Sequence, residues 1–237
     1  IVGLADRLDS LAGLFAAGLA PTGNKDPFAQ RRTALGLVVN LIGWDLDFNI
    51  QTAMKLAVAN LPIQASADSL EDCISFIIER LRNLLLERDY RYDVVDAVIT
   101  AQGHNPARAH RAVLELSAWV SHPEWDKILP AYSRCVRITR PVEGVDDFQV
   151  NVDLFEQVEE RELYQALITA EETKRATGSI DDFFQVFIPM IPKIDTFFDE
   201  VLVMVDGASI RRNRLRLLHR ISSLADGIVD MSKLEGF

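Results

Sequence analysis

FFDEVLVMVDGASIRRNRLRLLHRISSLADGI, from Phe197 to Ile228, is the stretch that decides the fold, because its second arm has the period of a helix. Apolar residues recur there at intervals of three, four and seven residues, which would place them on one helix face: Ile210, Leu217, Leu218, Ile221, Leu224, Ala225 and Ile228. Arg212, Arg216 and Arg220 repeat every fourth residue in a separate row. The stretch therefore predicts an apolar-faced helical hairpin whose second helix is basic.

Positive charge is concentrated in this helix although the protein is acidic overall. The 237-residue chain has 25 lysines and arginines against 35 aspartates and glutamates, a formal net charge of −10. From Asp206 to Arg220 there is one carboxylate against five arginines: Arg211, Arg212, Arg214, Arg216 and Arg220. Two interpretations stay open, a surface helix with solvated arginines and a helix that contacts a polyanion.

The composition is that of a globular protein with a sizeable core, 49% hydrophobic and 25% charged. No apolar run is long enough to span a membrane. The first residues lack the basic flank and cleavage site of a signal peptide, and they lack an initiator methionine, so we expect a piece of a longer protein. Cys73 and Cys135 lie in apolar helical surroundings without a CxxC motif, which predicts buried free thiols and a cytoplasmic location.

Nearly every other segment also has a helical period, which predicts an all-α fold, a bundle of helices joined by short turns. The remaining predicted helices are residues 1–17, 27–42, 47–61, 70–87, 94–101, 106–120, 125–137, 153–175, 181–190 and 193–205. Asp26 would cap the second helix at Pro27, and Ser69 would open the fourth in a capping box with Asp72. The acidic, irregular residues 140–151 are interpreted as a connector.

The loop before the second helix is a candidate anion site. Residues 23–26 would offer backbone N–H groups and the Lys25 ammonium to an anion beside the helix start. Arg31 and Arg32 lie in the same predicted helix and are candidates for phosphate contact. The alternative interpretation is an ordinary loop that ends in a helix cap.

A second basic row precedes the connector. Arg134, Arg137 and Arg140 are three residues apart in the helix predicted to begin at Trp125, and Tyr132 is close by. If this helix packs beside the arginine helix, the two rows would line a positive groove. An aromatic ring among basic residues suits the unpaired bases of RNA. The pattern therefore favours contact with single-stranded RNA.

Recognisable catalytic motifs are missing from the sequence. The four histidines have no HxxxH or HExxH spacing, and there is no P-loop, GxSxG or GxGxxG. Asp6 and Asp9 are one helical turn apart and could share a ligand, although paired carboxylates on an exposed helix are common without any chemistry. We therefore predict no catalytic residue and no metal ligand.

Three stretches resemble the C-terminal third of the bacterial glycyl-tRNA synthetase beta subunit. ADRLDSLAGLFAAGLAPTGNKDPFAQRRTALG, residues 5–36, is similar to the family's ADKLDTL segment followed by PTGSKDPFALRR. RDYRYDVVDAVIT, residues 88–100, is the second stretch. FFDEVLVMVDGASIRRNRLRLL, residues 197–218, is similar to the family's FFDxVMVM...RxNRLxLL run. Asn24 and Gln30 depart from the Ser and Leu that are usual in the family.

The resemblance implies two domains, with a boundary near residues 88–92. Residues 1–88 would be the C-terminal part of an HD-like helical domain, and residues 89–237 an anticodon-binding region with a DALR-type core at about 128–237. Residues 132–140 would open that core, and residues 211–218 would form its signature helix. ADRLD looks like the last motif of HD phosphohydrolases, whose Asp binds metal, but this chain has no His-Asp dipeptide.

The resemblance also implies a function, the tRNA-binding, anticodon-recognising portion of glycyl-tRNA synthetase. It would orient tRNA(Gly) for ATP-dependent glycylation by the catalytic alpha subunit, or by the alpha part of a fusion. That part would use ATP and Mg2+; no cofactor, DNA or membrane is expected for this chain. The candidate tRNA-binding residues are Lys25, Arg31, Arg32, Arg134, Arg137, Arg140, Arg211, Arg212, Arg214, Arg216 and Arg220. The alternatives are a metal-dependent phosphohydrolase remnant acting through Asp6 and Asp9, and a protein-interaction scaffold.

Overall fold

The computed structural model describes residues 2–140 and 149–237, which form eleven α-helices and four short 3-10 segments. No β-strand is present in these residues, only an isolated antiparallel bridge between Thr22 and Lys25. The predicted all-α fold is confirmed. The predicted connector, residues 140–151, lies mostly outside the described residues.

The helices divide into two compact units, residues 1–114 and 115–237. The first unit contains α1 (Val2–Ala16), α2 (Gln30–Gly43), α3 (Ile50–Ala59), α4 (Ala67–Leu86), α5 (Tyr92–Gln102) and most of α6 (Pro106–Val120). The second contains the end of α6, α7 (Trp125–Thr139), α8 (Val158–Glu172), α9 (Ile180–Phe187), α10 (Ile191–Glu200) and α11 (Ala208–Ser222). The predicted boundary at residues 88–92 falls inside the first unit, where α4 packs against α5. The assignment of an HD-like and an anticodon-binding domain stays a prediction.

The core of the first unit is formed by α1 and the helices around it. α1 packs against α2, α3 and α4, and α2 also packs against α4. Their inward faces are closed by fully buried apolar side chains, among them Leu11, Leu37, Leu41, Ile50, Met54, Ile77, Leu81 and Leu85. Because each such side chain stabilises the folded state by roughly 1.5–3 kcal/mol relative to exposure, α2 and α4 are held firmly side by side.

The core of the second unit is rich in phenylalanine. α7 packs against α10 and α11, and α8 packs against α10. The rings of Phe183, Phe184 and Phe187 on α9 are fully buried. The apolar face predicted for the arginine helix is also buried, including Leu217 and Ile221. These contacts fix the directions in which α7 and α11 present their polar residues.

Three helices begin later than predicted, and one of them is α3, which begins at Ile50 rather than at residue 47. α2 begins at Gln30 rather than Pro27, because Ala29 has a left-handed φ of 53° that interrupts a helix. Ala29, not Asp26, therefore occupies the N-cap position. The Asp26 carboxylate still accepts hydrogen bonds from the N–H groups of Gln30 (2.8 Å) and Arg31 (2.9 Å) at the start of the helix. α8 begins at Val158 and is preceded by a 3-10 turn at Val152–Leu154.

α4 begins earlier than predicted, with a different cap. The Ser66 hydroxyl accepts a hydrogen bond from the N–H of Ser69 at 3.0 Å, so Ser66 is the N-cap residue. Ser69 lies in the first turn, where its hydroxyl donates to the Ser66 carbonyl oxygen. The capping box predicted for Ser69 and Asp72 is therefore wrong, because the helix already begins at Ala67 and Ser69 lies inside it.

Replacing Ser66 by alanine is expected to lower the free energy of unfolding by about 0.5–2 kcal/mol, because the N–H of Ser69 loses its acceptor at the helix start. Ser69→Ala is the matched control and is expected to change it by less than about 0.5 kcal/mol. Urea unfolding of both variants measures the difference. If Ser69→Ala lowered the free energy of unfolding more than Ser66→Ala, Ser69 would be the N-cap residue, as predicted from sequence.

The segment between α10 and α11 is a loop, although helix was predicted as far as Val205. α10 ends at Glu200, and α11 begins at Ala208. Alternating valines have a low helix propensity. In addition, the carbonyl oxygens of Leu202 and Val205 accept hydrogen bonds from arginine side chains of α11. These bonds fix the loop, so the hairpin's first arm is shorter than predicted.

Candidate nucleic-acid interface

Arg214 is the most deeply buried arginine of α11, with 3% of its side chain exposed. Its Nε donates to Glu160 Oε1 at 2.9 Å, and its Nη2 donates to Glu160 Oε2 at 3.2 Å and to Glu156 Oε2 at 3.0 Å. Its Nη1 donates to the carbonyl oxygen of Leu202 at 3.0 Å. Arg214 therefore joins α11 to α8 and to the loop before α11, and it cannot meet a phosphate without breaking these bonds.

The carboxylate of Glu160 is completely buried, and both of its oxygens accept hydrogen bonds. Its Oε2 also accepts hydrogen bonds from the backbone N–H groups of Glu156 and Gln157, so Glu160 helps to cap the start of α8. Burial pushes the pKa of Glu160 upward, but the hydrogen bonds from Arg214 and from these N–H groups outweigh it and hold the pKa below its ordinary value. The same pairing raises the pKa of Arg214. Both groups are therefore charged at neutral pH.

The other arginines of α11 differ in their exposure and in the hydrogen bonds that they make within the protein. Arg220 forms two hydrogen bonds of 2.5–2.6 Å with Glu171, and Arg211 donates to the Val205 carbonyl oxygen at 3.1 Å. Arg216 is half-buried. Arg212 is exposed and makes no ion pair or hydrogen bond with another side chain in residues 2–140 and 149–237.

The three arginines predicted for this row are exposed, Arg134 and Arg137 on α7 and Arg140 as the residue that directly follows it. The guanidinium groups of Arg137 and Arg140 lie over the ring of Phe237, at 5.6 and 5.9 Å from its centroid. Such a contact contributes about 0.5–1 kcal/mol at an exposed site and leaves the N–H groups free to meet an anion. The row is therefore partly preorganised for an external acceptor.

Arg134 has a carboxylate neighbour as well as an aromatic one. Its guanidinium lies 4.3 Å from the centroid of the Phe198 ring, and its Nη1 is 3.3 Å from Asp195 Oδ1. Both members of this ion pair are exposed, so the pair contributes little and exchanges readily with another anion. Arg134 thus remains part of the exposed row on α7.

The aromatic residue predicted to stack on a base is a core residue instead. Tyr132 is 6% exposed, its ring lies edge-on to Phe183 and Phe187, and its hydroxyl donates to the carbonyl oxygen of Ser222 at 2.9 Å. Burial also raises the pKa of Tyr132. α7 and α11 do pack against each other as predicted. The proposed use of Tyr132 as a stacking platform is wrong, because the face that binds α11 is the one that carries this ring.

In the first unit the Asp26 carboxylate occupies the start of α2, where an external anion was considered. The N–H groups at the beginning of α2 donate to the Asp26 carboxylate, so they are not available for an external anion. Arg31 Nη2 donates to the carbonyl oxygen of Gly23 at 2.6 Å, and its Nη1 lies 4.0 Å from Asp26. Lys25 and Arg32 are exposed, and their contact with tRNA stays a prediction.

Sequence reasoning missed a cavity of about 260 Å3 between α2 and α4. Its lining consists of Arg31, Arg32, Leu35, Arg80, Asn83, Leu84 and Glu87. Arg80, Asn83 and Glu87 follow each other at three- and four-residue intervals, which places them on one face of α4. That spacing could have shown from sequence that these three residues share a face. Nothing in the sequence shows that this face meets the arginines of α2.

Asp6 and Asp9, the two residues of the alternative hydrolase hypothesis, lie together on α1. Both are exposed on α1, beside a largely apolar cavity of about 660 Å3 that α3 closes on the other side. Within the described ranges no group of three or more His, Cys, Asp or Glu is placed to hold a metal ion.

Cys73 and Cys135 are free and buried, as predicted, and burial raises the pKa of each thiol to about 12. None of the described helices is long and apolar enough to cross a membrane.

Comparison with known proteins decides the family. Residues 1–100 match the family model described as glycyl-tRNA synthetase beta subunit. A chloroplastic/mitochondrial glycine–tRNA ligase of Arabidopsis thaliana is 34% identical over 100% of this chain, and the beta subunit of Moorella thermoacetica glycine–tRNA ligase is 33% identical over 99% of it. The chain belongs to the glycyl-tRNA synthetase beta subunit family.

The match to this beta subunit family covers only part of each relative. The chain spans 22% of the Arabidopsis protein and 35% of the Moorella beta subunit. A glycine–tRNA ligase beta subunit of Janthinobacterium is 34% identical over 99% of the chain, which spans 34% of that protein. The matched region is the C-terminal part of these relatives, as the three resembling stretches predicted.

Proposed function

We propose that this chain is the tRNA-binding portion of a glycine–tRNA ligase, which recognises the anticodon of tRNA(Gly). The ligase assignment is supported by the names of its relatives. The contact with RNA is supported above all by one observation, the exposed row of Arg134, Arg137 and Arg140 on and directly after α7 in a protein with net charge −10. The proposed partners are tRNA(Gly) and a catalytic alpha part that uses ATP and Mg2+, and the proposed location is the cytoplasm.

The geometry of α7 suits a phosphate backbone. Residues three apart on a helix rise by about 4.5 Å, so the row from Arg134 to Arg140 extends for about 9 Å along one side of the helix. Guanidinium groups bind phosphate oxygens through paired N–H donors, and these contacts position an RNA without reading its bases. Exposed Arg212 on α11 would add a further cation to this binding surface.

In this proposal the chain contributes affinity and orientation rather than chemistry. Binding energy from a remote part of a substrate can position the reacting end in a distant catalytic site. For a tRNA, contacts with the anticodon arm would direct the acceptor end toward the alpha part. We therefore expect the isolated chain to bind tRNA(Gly) and to form no glycyl-tRNA.

The test is the salt dependence of tRNA(Gly) binding, measured by gel shift. We expect the logarithm of the affinity to fall steeply with the logarithm of salt concentration, because each phosphate contact releases counterions. The double variant Arg137→Gln/Arg140→Gln is expected to reduce that slope by about two. Lys174→Gln, which neutralises an exposed lysine of the second unit, is the control and is expected to leave the slope unchanged.

Binding that is indifferent to salt, or no shift at low salt, would overturn the proposal. A protein-interaction scaffold would then explain the exposed arginines better than a tRNA-binding surface. A salt-dependent shift that survives in the double variant would keep RNA binding but move it away from α7.

A further inference from the structure

The cavity between α2 and α4 combines several donors that the protein does not use. Arg32 is exposed and Asn83 half-buried, and neither side chain hydrogen-bonds to another described residue. Arg31 commits its Nη2 to the Gly23 carbonyl oxygen, while its Nη1 is 4.0 Å from Asp26, beyond hydrogen-bond distance. The lining therefore offers N–H groups from both helices without matching acceptors.

Arg80 is the most enclosed cation of this group, with 19% of its side chain exposed. Its Nη2 lies 2.6 Å from Glu79 Oε2, and its guanidinium lies 5.1 Å from the centroid of the Phe76 ring. Its Nε is buried and has no hydrogen-bond partner in the described part of the chain. A buried charged donor without an acceptor is costly, so the protein itself does not fully satisfy the guanidinium of Arg80.

The charge of the lining is positive even though the protein is acidic. Arg31, Arg32 and Arg80 carry three positive charges, and Glu87 is the single carboxylate that borders the cavity. A volume of about 260 Å3 exceeds the roughly 30 Å3 that one water molecule occupies in the liquid, so it has room for a larger hydrated group. Leu35 and Leu84 complete the lining with apolar surface.

We propose that this cavity is a phosphate-binding site, in which Arg31, Arg32, Arg80 and Asn83 donate to the oxygens of a phosphate group. Guanidinium groups match the geometry of phosphate, and the Asn83 amide supplies a neutral donor. The phosphate can belong to the backbone of an RNA or to a small phosphate compound. The RNA case rests on the proposed function and adds a second contact area on the first unit.

Inorganic pyrophosphate and tRNA(Gly) are the two probes, measured by calorimetry and by gel shift. Arg80→Gln is expected to weaken pyrophosphate binding by roughly ten- to a hundredfold, the effect of losing a charged hydrogen bond. Arg32→Gln, at an exposed position that folding does not need, is expected to act in the same direction. Glu87→Gln is expected to strengthen binding by up to about fivefold, because it removes the opposing charge. Lys55→Gln on α3 is the matched control and is expected to have no effect.

The outcomes show whether the bound phosphate belongs to an RNA backbone or to a small phosphate compound. If Arg32→Gln and Arg80→Gln weaken both probes, the site binds the RNA backbone; if they weaken pyrophosphate alone, the site stands and its ligand is a small phosphate compound. Pyrophosphate binding that none of the three variants changes, or none by the unaltered chain, would overturn the site. The α7 double variant distinguishes this failure from that of the proposed function, since it should weaken tRNA(Gly) and leave pyrophosphate unaffected.

Discussion

Replacing Arg214 by methionine is expected to lower the free energy of unfolding by about 3–5 kcal/mol, because it leaves a buried carboxylate without its cation. Glu160 has no exposed surface, and three of the four hydrogen bonds of Arg214 go to Glu160 and Glu156. The fourth goes to the loop before α11. Urea unfolding followed by the fluorescence of Trp119 and Trp125, both in the second unit, measures the loss.

The control for this substitution is Arg212→Met on the same helix. Arg212 is exposed and makes no contact of this kind, so its replacement is expected to change the stability by no more than about 0.5 kcal/mol. Adding Glu160→Gln to Arg214→Met should recover part of the loss, since no buried charge then remains unpaired. Equal stability of Arg214→Met and Arg212→Met would refute the buried ion pair.

The pH dependence gives this prediction a second readout. Because the pKa of Glu160 is depressed in the folded protein, its contribution is fully present above the ordinary glutamate pKa of about 4.3 and is lost as pH falls through the lower folded value. In Arg214→Met the buried carboxylate keeps its two backbone N–H donors but loses its cation, and protonation relieves the uncompensated charge. The gap in stability between the two proteins should therefore narrow as the pH falls, first above about 4.3, where the carboxylate of the variant takes up a proton, and then below it, where the unaltered protein loses its contribution.

Local sequence signals predicted most of the helices but not the role of each charge. α6 has the predicted bounds, Pro106–Val120, because Asn105 and Pro106 form a strong start signal. The arginine row of α11 was visible as a period of four. Whether one of those arginines meets solvent or a carboxylate depends on Glu160, which lies 54 residues earlier in the chain. No local pattern carries that information.

The same limit applies to the candidate site. The arginines of α7 were predicted from their spacing and are exposed, whereas Tyr132, in the same helix, faces the core. Spacing shows which residues share a helix face, but the packing of other helices decides which face is covered. Arg80 and Asn83 were missed for this reason, since the significance of their face depends on its contact with α2.

Leu218→Ala is expected to lower the free energy of unfolding by about 2–5 kcal/mol, the second large effect. The Leu218 side chain is fully buried on the face of α11 that was predicted from its apolar period. Its removal costs the transfer free energy of the lost methyl and methylene groups, and it leaves a cavity that close-packed helices fill only partly. Urea unfolding followed by tryptophan fluorescence measures this loss as well.

Leu202→Ala is the matched control for this prediction, because Leu202 is the same residue type in the same unit but is 69% exposed. We expect its stability to change by no more than about 0.5 kcal/mol. The pair also tests the loop between α10 and α11 against the longer helix predicted from sequence. If the two substitutions had similar costs, Leu202 would be buried in the second unit, and the loop conformation between α10 and α11 would be wrong.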